Sequence, residues 1–415
     1  MALRIPPALR QPRFAFYWVG LTFAWAGNQV LIWALLWHIR TFTDLPLALG
    51  VVGLIRVVPT ILISFIAGWA ADAFNRRIVV FTTQGIMGSV ALLLGLLTLT
   101  GGVQLWQIYA LLALHSTAFA FESPARQSLT PNLIPDRLLP NAISLIMVSY
   151  QIGGLVGPAL SGMLIDQMGQ HIAYFTASGL FGILLVTLVL IGGIPQQRLV
   201  SERRWIDFEA IRAGFRFTFR HPLILPSMLL DFFATFLVRA DSLMPYFARD
   251  VLGVGATAYG WLSSATMIGA ILAGVTISQA QALQRQGKLL LVSVMTLGVG
   301  ATIFGLSRSY PLSMFGLILM GASDSVSSII RSSIRQLQTP DSLRGRMMGV
   351  NQIFLSGGPQ LGELKSGLLG QVIGVPLTVA LGGIICILMV GGIDRRWSQL
   401  RAYNGDEAKI SVSLG

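Results

Sequence analysis

Charged residues are scarce in this chain. Only 11% of its 415 residues are Asp, Glu, Lys or Arg, whereas a typical soluble domain carries about 25%. Hydrophobic residues make up 54%, and the mean hydropathy is +0.71. One water-soluble core cannot hide this much apolar surface, so the composition excludes an ordinary soluble protein and predicts a chain surrounded by lipid.

Cysteine and histidine are also rare. The single cysteine, Cys386, lies in an apolar run, which excludes a disulfide framework and a cysteine metal cluster. The four histidines are scattered and show no metal-ligand spacing: His38, His115, His171 and His221. A phosphate-binding loop for ATP is absent from the sequence too. We therefore expect no metal, no cofactor and an energy source other than ATP.

The net charge of +12 reflects membrane topology and not nucleic-acid binding, because the positive residues are unevenly distributed. Of the 29 Lys and Arg residues, three fall in predicted outer loops and three deep within apolar runs: Arg40, Arg249 and Arg308, then Arg56, Arg239 and Lys365. All the others fall on one predicted side. This asymmetry predicts an even number of crossings, both termini in the cytoplasm, and a bacterial inner-membrane location.

Long apolar runs predict twelve transmembrane helices. The first run is too long for a signal peptide. We place the spans at 14–38, 46–71, 78–99, 104–123, 139–165, 172–193, 223–247, 257–281, 288–306, 311–333, 345–370 and 375–393. The predicted domains are a six-helix bundle, a cytoplasmic linker containing an amphipathic helix, a second six-helix bundle and a cytoplasmic tail: 1–193, 194–222, 223–394 and 395–415.

A short polar elbow separates the second and third apolar runs. Gly68 permits close helix contact, and Asp72 follows one turn later on the same face. Asn75 is compatible with a left-handed turn position. Arg76 and Arg77 fall where positive charge marks the cytoplasmic side, so the plain alternative is an ordinary positive-inside turn.

The elbow resembles the signature between transmembrane helices 2 and 3 of the major facilitator superfamily, from which it departs at Ala73 and Asn75. The resemblance implies an all-α membrane protein with twelve helices in two pseudo-symmetric bundles. We hypothesise that the elbow and Arg126 form a cytoplasmic latch that holds the two halves together when the outside is open. The predicted latch residues are Gly68, Asp72, Arg76, Arg77 and Arg126.

The two halves of the sequence repeat each other at a shift of 205 positions. Three separate matches recover this shift: Arg126 with Arg331, Pro135-Asp136 with Pro340-Asp341, and Gly157, Ser161 and Gly162 with Gly362, Ser366 and Gly367. A parallel repeat of six helices is what the major facilitator architecture predicts, with a substrate site near the bilayer midplane.

The fifth predicted span carries small residues and a proline: Gly153, Gly154, Gly157, Pro158 and Gly162. They resemble the helix 5 motif of antiporters of this superfamily, which is associated with export; the alternative is a tight packing seam without directional meaning. The stretch 121–126 before it, and 338–346 in the second half, resemble loops of the drug:proton antiporter subgroup that contains enterobactin and macrolide exporters.

Charges inside the predicted spans point to mechanism, because each is costly in lipid unless it is paired or faces water. The carboxylates Asp231, Asp324 and Glu363 are candidates for proton coupling. The alternative is static buried pairs, such as Arg239 with Glu363. Candidates for lining a substrate cavity are aromatic, amide and basic side chains that suit a bulky, partly polar ligand: Trp25, Asn28, Gln29, Trp33, Arg56, Arg239 and Lys365.

The sequence thus predicts a monomeric secondary transporter that exports an amphipathic, drug- or siderophore-like molecule by proton antiport. An importer or a lysophospholipid flippase of the same fold remains open, as does a membrane receptor without transport. Arg56, with no acid expected in the spans of the first half, favours an anionic substrate. An enzyme is not expected, because the buried charges are spread over several spans and do not cluster.

Overall fold

The structure is a computed structural model that describes residues 6–193, 208–279, 284–340 and 343–405. Within these ranges the chain forms helices joined by short turns, and no strand occurs among them. This confirms the predicted all-α fold. Long apolar helices are the expected solution in lipid, because a helix satisfies its backbone hydrogen bonds internally.

Six long helices form before the linker. They are α1 (Pro12–Phe42), α2 (Pro46–Ala73), α3 (Arg76–Leu99), α4 (Leu105–Leu129), α5 (Leu139–Met168) and α6 (Gln170–Ile191). Short 3-10 turns precede α1 and connect α4 to α5. Five of the six agree with the predicted spans to within a turn. The exception is α4, which extends beyond its predicted end at residue 123 and keeps Pro124 inside the helix.

The linker contains α7 (Phe208–Arg220). After it come α8 (Ile224–Val238) and a broken stretch with the short α9 (Met244–Tyr246). The remaining helices are α10 (Ala256–Ser278), α11 (Gln286–Leu306), α12 (Tyr310–Gln338), α13 (Arg344–Ile373), α14 (Val375–Arg396) and α15 (Ser398–Ala402). The predicted span 223–247 is not one regular helix, because α8 ends at Val238 and the chain continues through 3-10 and π turns.

Nine of the described helices are long and apolar enough to cross a membrane, and a bent pair around α7 and α8 raises the number to ten. Two others, α4 and α13, have 25 and 30 residues, which exceeds the 20 or so that a bilayer requires. Charged residues lower their hydropathy. The total of twelve spans therefore stays a prediction.

Contacts divide the chain into two compact units. Unit 1 comprises residues 1–44, 55–202 and 254–264, and unit 2 comprises residues 45–54, 203–253 and 265–415. Each unit thus takes one short segment from the opposite half of the sequence. In unit 1, α1 packs against α5 and α6, and α3 packs against α4 and α6. In unit 2, α11 packs against α12 and α14, and α8 packs against α13 and α14.

Two single-glycine links lie 205 positions apart and match each other. Gly169 joins α5 to α6 with φ 92°, and Gly374 joins α13 to α14 with φ 87°. A positive φ of this size is easily reached only by glycine. The same shift that relates the sequence motifs therefore also relates two backbone turns.

The predicted amphipathic helix of the linker is present as α7, while residues 194–207 lie outside the described part. Phe217 of α7 is buried against Ile224 and Met228 of α8 and against α13. The buried His221 imidazole starts α8, because its Nδ1 accepts hydrogen bonds from two backbone N–H groups of the first turn, both at 3.2 Å. Burial lowers the pKa of His221 to about 4, which keeps the ring neutral and able to accept.

Candidate functional site

Unit 2 contains a buried cluster of two carboxylates and two arginines on α8 and α12. The Asp231 carboxylate lies 3.0 Å from Arg331 and 3.9 Å from Arg335. Arg331 also lies 3.5 Å from Asp324 and donates to the Ser327 hydroxyl. Pairing of this kind is the condition under which charges are tolerated inside a membrane.

The two carboxylates of this cluster differ in their access to solvent. The Asp231 side chain is 5% exposed, whereas the Asp324 side chain is 40% exposed. The cluster is therefore more exposed on the side of Asp324 than on the α8 side. Both residues are predicted proton-coupling candidates, and the structure brings them to the same guanidinium.

The third predicted carboxylate, Glu363 on α13, lies apart from this cluster. It is 4% exposed and lies against the first half of α2 within unit 2. A Cβ added to Gly53 would lie 2.8 Å from the Glu363 Cβ. Only a glycine at this place on α2 leaves room for the carboxylate.

Lys365 and Ser366 of α13 support the end of α8. The Lys365 Nζ donates to the Leu237 carbonyl at 2.8 Å, and the Ser366 hydroxyl donates to the Arg239 carbonyl at 3.0 Å. These carbonyls lack helical partners because α8 stops at Val238. Lys365, predicted to line the substrate cavity, therefore binds backbone at a broken helix. Broken helices at membrane depth commonly mark transport sites.

The Arg239 side chain lies at the same break and is partly open. Its guanidinium lies 3.0 Å from the Asp241 carboxylate, and the two side chains are 43% and 33% exposed. The example of a static Arg239–Glu363 pair remains untested, and the ion pair that the structure shows at Arg239 is formed with Asp241.

Unit 1 contains an ion pair that the sequence analysis did not predict. Glu122 of α4 is 2% exposed, and its Oε1 lies 2.9 Å from the Arg126 Nε one turn later. The Arg126 guanidinium also lies over the Trp25 ring, 5.0 Å from its centroid. The expectation of no acid in the spans of the first half is wrong, because Glu122 lies within the predicted span 104–123 and the structure places it in α4.

Glu122 borders a small cavity of about 10 Å³, roughly the room that one water molecule needs. Its other lining residues come from α1, α3 and α4: Leu21, Ala24, Trp25, Asn28, Gln84, Met87 and Phe119. Pockets that hold drug-sized ligands measure about 300–1,000 Å³. The cavity is far too small for such a ligand, and its lining is mostly apolar, with Asn28, Gln84 and Glu122 as its polar members.

The remaining cavity candidates of the first half have different surroundings. Trp33 is buried, and its carbonyl accepts a hydrogen bond of 2.9 Å from the Tyr259 hydroxyl within unit 1. Gln29 packs through its Cβ against α5 at Gly157, while Arg56 is half-buried on α2. The structure thus brings Trp25 and Asn28 to one cavity and places the other three elsewhere.

The elbow between α2 and α3 is stabilised by Asn75 and the two arginines. Asn75 has φ −65°, so the left-handed expectation is wrong; its Oδ1 instead accepts from the Arg77 N–H at 3.0 Å and caps α3. Arg76 donates to the Ser128 carbonyl at the end of α4, and Arg77 donates to the Leu188 carbonyl of α6.

Only part of the predicted latch can be placed. The surroundings of Gly68 and of the Asp72 side chain lie outside what the structure describes. Arg126 lies in the buried pair with Glu122, and Arg76 contacts the end of the same helix. The latch itself therefore remains a prediction.

The small residues of α5 lie at close helix contacts. A Cβ at Gly153 would lie 2.9 Å from the Trp25 backbone, and one at Gly157 would lie 2.4 Å from the Gln29 Cβ. A Cβ at Gly162 would lie 2.2 Å from the Ala256 carbonyl oxygen, and Pro158 and Gly154 are buried in the same helix. These glycines let α5 pack closely against its neighbours, and this packing does not test their association with export.

Histidine, cysteine and acidic side chains form no group of three that could hold a metal within the described ranges. What the arrangement offers is two buried carboxylates, Glu122 and Asp231, each paired with an arginine. A carboxylate of this kind can exchange a proton when its counter-charge moves, because burial and pairing act on its charge in opposite directions.

Long apolar helices with internal ion pairs define a polytopic membrane transport protein. The chain belongs to the major facilitator superfamily: residues 5–413 match the family profile described as transmembrane secretion effector. The predicted family and fold are thereby confirmed.

Two relatives agree with this assignment. The chain is 25% identical over 382 residues to the multidrug efflux pump Tap of Mycolicibacterium fortuitum, covering 89% of this chain and 91% of the relative. It is 27% identical over 328 residues to the enterobactin exporter EntS of Escherichia coli O1:K1 / APEC, covering 79% and 77%.

Solved transporters share the fold. A bacterial homologue of the human lysosomal transporter Spinster superimposes with a TM-score of 0.71 at 13% identity, covering 96% of this chain and 98% of the other. A bacterial homologue of the iron transporter ferroportin gives a TM-score of 0.68 at 17% identity, covering 93% and 98%. At these identities the likeness concerns the fold alone.

Proposed function

We propose that this protein exports an amphipathic small molecule across the bacterial inner membrane by proton antiport, with alternating access. The support is the similarity to the multidrug efflux pump and the enterobactin exporter, together with the family described as a secretion effector. In this proposal the chain acts as a monomer in lipid, carries no cofactor and performs no catalysis. Both termini face the cytoplasm.

The observation that carries the proton step is the Asp231 cluster. Asp231 is buried, yet it reaches Arg331, which in turn reaches the half-open Asp324. When Asp231 takes up a proton, its attraction to the two arginines falls and the pair can separate. Such a change biases a two-state equilibrium between inward-open and outward-open forms.

In this proposal Arg239, half-exposed at the broken end of α8 in unit 2, is the candidate contact for a polar or anionic group of the substrate. A thermal-stabilisation screen of purified protein against siderophores, macrolides, cationic dyes and lysophospholipids narrows the chemical class of the substrate.

The proton step is tested in proteoliposomes with ethidium as the transported probe and an imposed pH gradient. Asp231→Asn is expected to reduce gradient-driven ethidium movement about tenfold or more, because the amide cannot release a proton. The matched control is Asp394→Asn, which removes a carboxylate from a more exposed pair with Arg401; such pairs contribute little. Full gradient-driven transport by Asp231→Asn would remove Asp231 from the mechanism.

Asp324→Asn and Glu363→Gln complete the series. Asp324→Asn is expected to shift the pH profile of ethidium transport, because it removes the more exposed carboxylate partner of Arg331. If Asp324→Asn and Glu363→Gln both leave the pH profile of the wild type unchanged, those two carboxylates have structural roles only.

A further inference from the structure

We propose that Glu122 is a second proton-exchanging carboxylate, located in unit 1 and served by the cavity beside it. The proposal rests on the proposed proton antiport and adds a site in the other half of the molecule. The proton adds to a Glu122 carboxylate oxygen while Arg126 keeps its own, so the net charge of the pair changes from zero to plus one.

The surroundings of Glu122 allow its charge to change. The charged or titratable groups that face it among the described residues are Arg126 on its own helix, at 2.9 Å, and Tyr17 on α1. Gln84 of α3 hydrogen-bonds to it. His115 lies two turns earlier on α4, about 10 Å along the helix axis. Arg126 is therefore the guanidinium that the described residues place against the buried Glu122, and it has the Trp25 ring as a second partner.

In this proposal the cavity beside Glu122 holds the water that exchanges the proton. Glu122 lines it directly, and so do Trp25 and Gln84. The Trp25 Nε1 and the Gln84 Oε1 are buried and have no hydrogen-bond partner within the described part of the chain. A buried donor and acceptor beside a carboxylate suit a bound water, which would satisfy both and carry a proton to the acid.

The internal repeat shows that the fold does not require an acid at this position. The 205-position shift relates Glu122 to Ser327 and Arg126 to Arg331. Ser327 hydrogen-bonds to Arg331 in unit 2, and the carboxylate there comes from Asp231 on a different helix. Both units thus provide their repeated arginine with one buried acid, and they do so from different places. The two units therefore share a buried acid–arginine pair, and they do not share the acid's position in the repeat.

The test is infrared difference spectroscopy of the purified full-length protein while the pH is lowered from about 8 to about 5. A protonated-carboxyl band is expected to appear in the wild type and to lose one component in Glu122→Gln. In Arg126→Gln this component is expected at higher pH, because removal of the guanidinium favours the neutral acid. An unchanged band in Glu122→Gln would overturn the proposal, since the carboxylate would then remain ionised throughout.

A charge-neutral variant separates proton exchange from a structural role. Glu122→Gln alone leaves a buried guanidinium without its acid and can lower the folded yield, whereas Glu122→Gln with Arg126→Gln restores the balance. If Glu122 exchanges protons, the double variant folds but keeps less than about one tenth of gradient-driven ethidium transport. Ethidium transport with the pH dependence of the wild type in this double variant would refute proton exchange at Glu122.

The spectroscopic arm also separates this inference from the proposed function. Wild-type protein that moves ethidium without responding to a pH gradient would contradict proton antiport, while the infrared band would still report whether Glu122 takes up a proton. Normal antiport with no Glu122 component would contradict this inference alone.

Discussion

Arg331 is the residue whose removal tests the buried cluster of unit 2 most sharply. The wild-type cluster contains two carboxylates and two guanidinium groups, Asp231, Asp324, Arg331 and Arg335. Arg331→Gln leaves one excess negative charge, and Asp231→Asn leaves one excess positive charge. The combination of both substitutions restores balance, because Asp324 and Arg335 remain.

The expected magnitude follows from burial. Breaking a buried ion pair by removing one partner costs about 3–5 kcal/mol. The Arg331 and Asp231 side chains are only 3% and 5% exposed, and Arg335 at 3.9 Å compensates in part. We therefore expect about 3 kcal/mol for Arg331→Gln. At roughly 2–4 °C per kcal/mol, the Tm falls by about 6–12 °C.

A double-mutant cycle on thermal unfolding in detergent measures this coupling. The double variant is expected to lose less stability than the sum of the losses of the two single variants. The expected coupling energy is about 1–3 kcal/mol. A loss below about 1 kcal/mol for Arg331→Gln, or strictly additive effects, would refute the view that the cluster is a buried and balanced unit.

Three further predictions concern packing, the broken helix and pH. Gly157→Ala is expected to lose about 1–3 kcal/mol of stability through a clash with α1. In the control Gly179→Ala the added methyl meets no atom within 4 Å, so no stability loss is expected. Thermal unfolding of the two variants measures the difference. Lys365→Met removes the 2.8 Å bond to the Leu237 carbonyl and is expected to lower stability by about 1–3 kcal/mol, with Lys365→Arg retaining more. The folded pKa of His221 is about 4, below its ordinary value of 6.5, so stability is expected to fall as the pH drops from 6.5 to 4 and then to level off. His221→Asn should weaken this pH dependence of stability. An unchanged pH dependence of stability in His221→Asn would contradict the prediction.

The long elements could be predicted from the sequence because apolar length is a direct signal in a membrane protein. Predicted spans 288–306 and 375–393 correspond to α11 and α14 within three residues. The duplication was visible in three motifs, and the structure adds the matching glycine turns. These features depend on local sequence and on lipid as the solvent.

The break at the end of α8 could not be predicted from its own sequence. The run 223–247 is largely apolar and contains no glycine, and its two prolines, Pro226 and Pro245, lie in the first turn of α8 and beyond the break. The carbonyls of Leu237 and Arg239 are satisfied by side chains of α13, which lies more than 120 positions later. Such tertiary compensation leaves no local trace.

Glu122 was missed for a different reason. The stretch 121–126 is interpreted from its resemblance to a loop of the antiporter subgroup, although the predicted span 104–123 already contains Glu122. In the structure α4 continues to Leu129, so Glu122 and Arg126 lie one turn apart on one face. Their spacing of four residues, with an acid followed by a base, was the signal that could have revealed the pair.

Proton release on ligand binding tests the central claim most directly. Purified protein in weakly buffered detergent solution receives saturating ethidium while a pH indicator follows free protons, with Asp231→Asn/Glu122→Gln as the comparison. The wild type is predicted to release protons as ethidium binds, and the double variant to bind without release. Ethidium binding by the wild type with no proton released would contradict a proton-coupled exporter and favour an uncoupled carrier or a receptor.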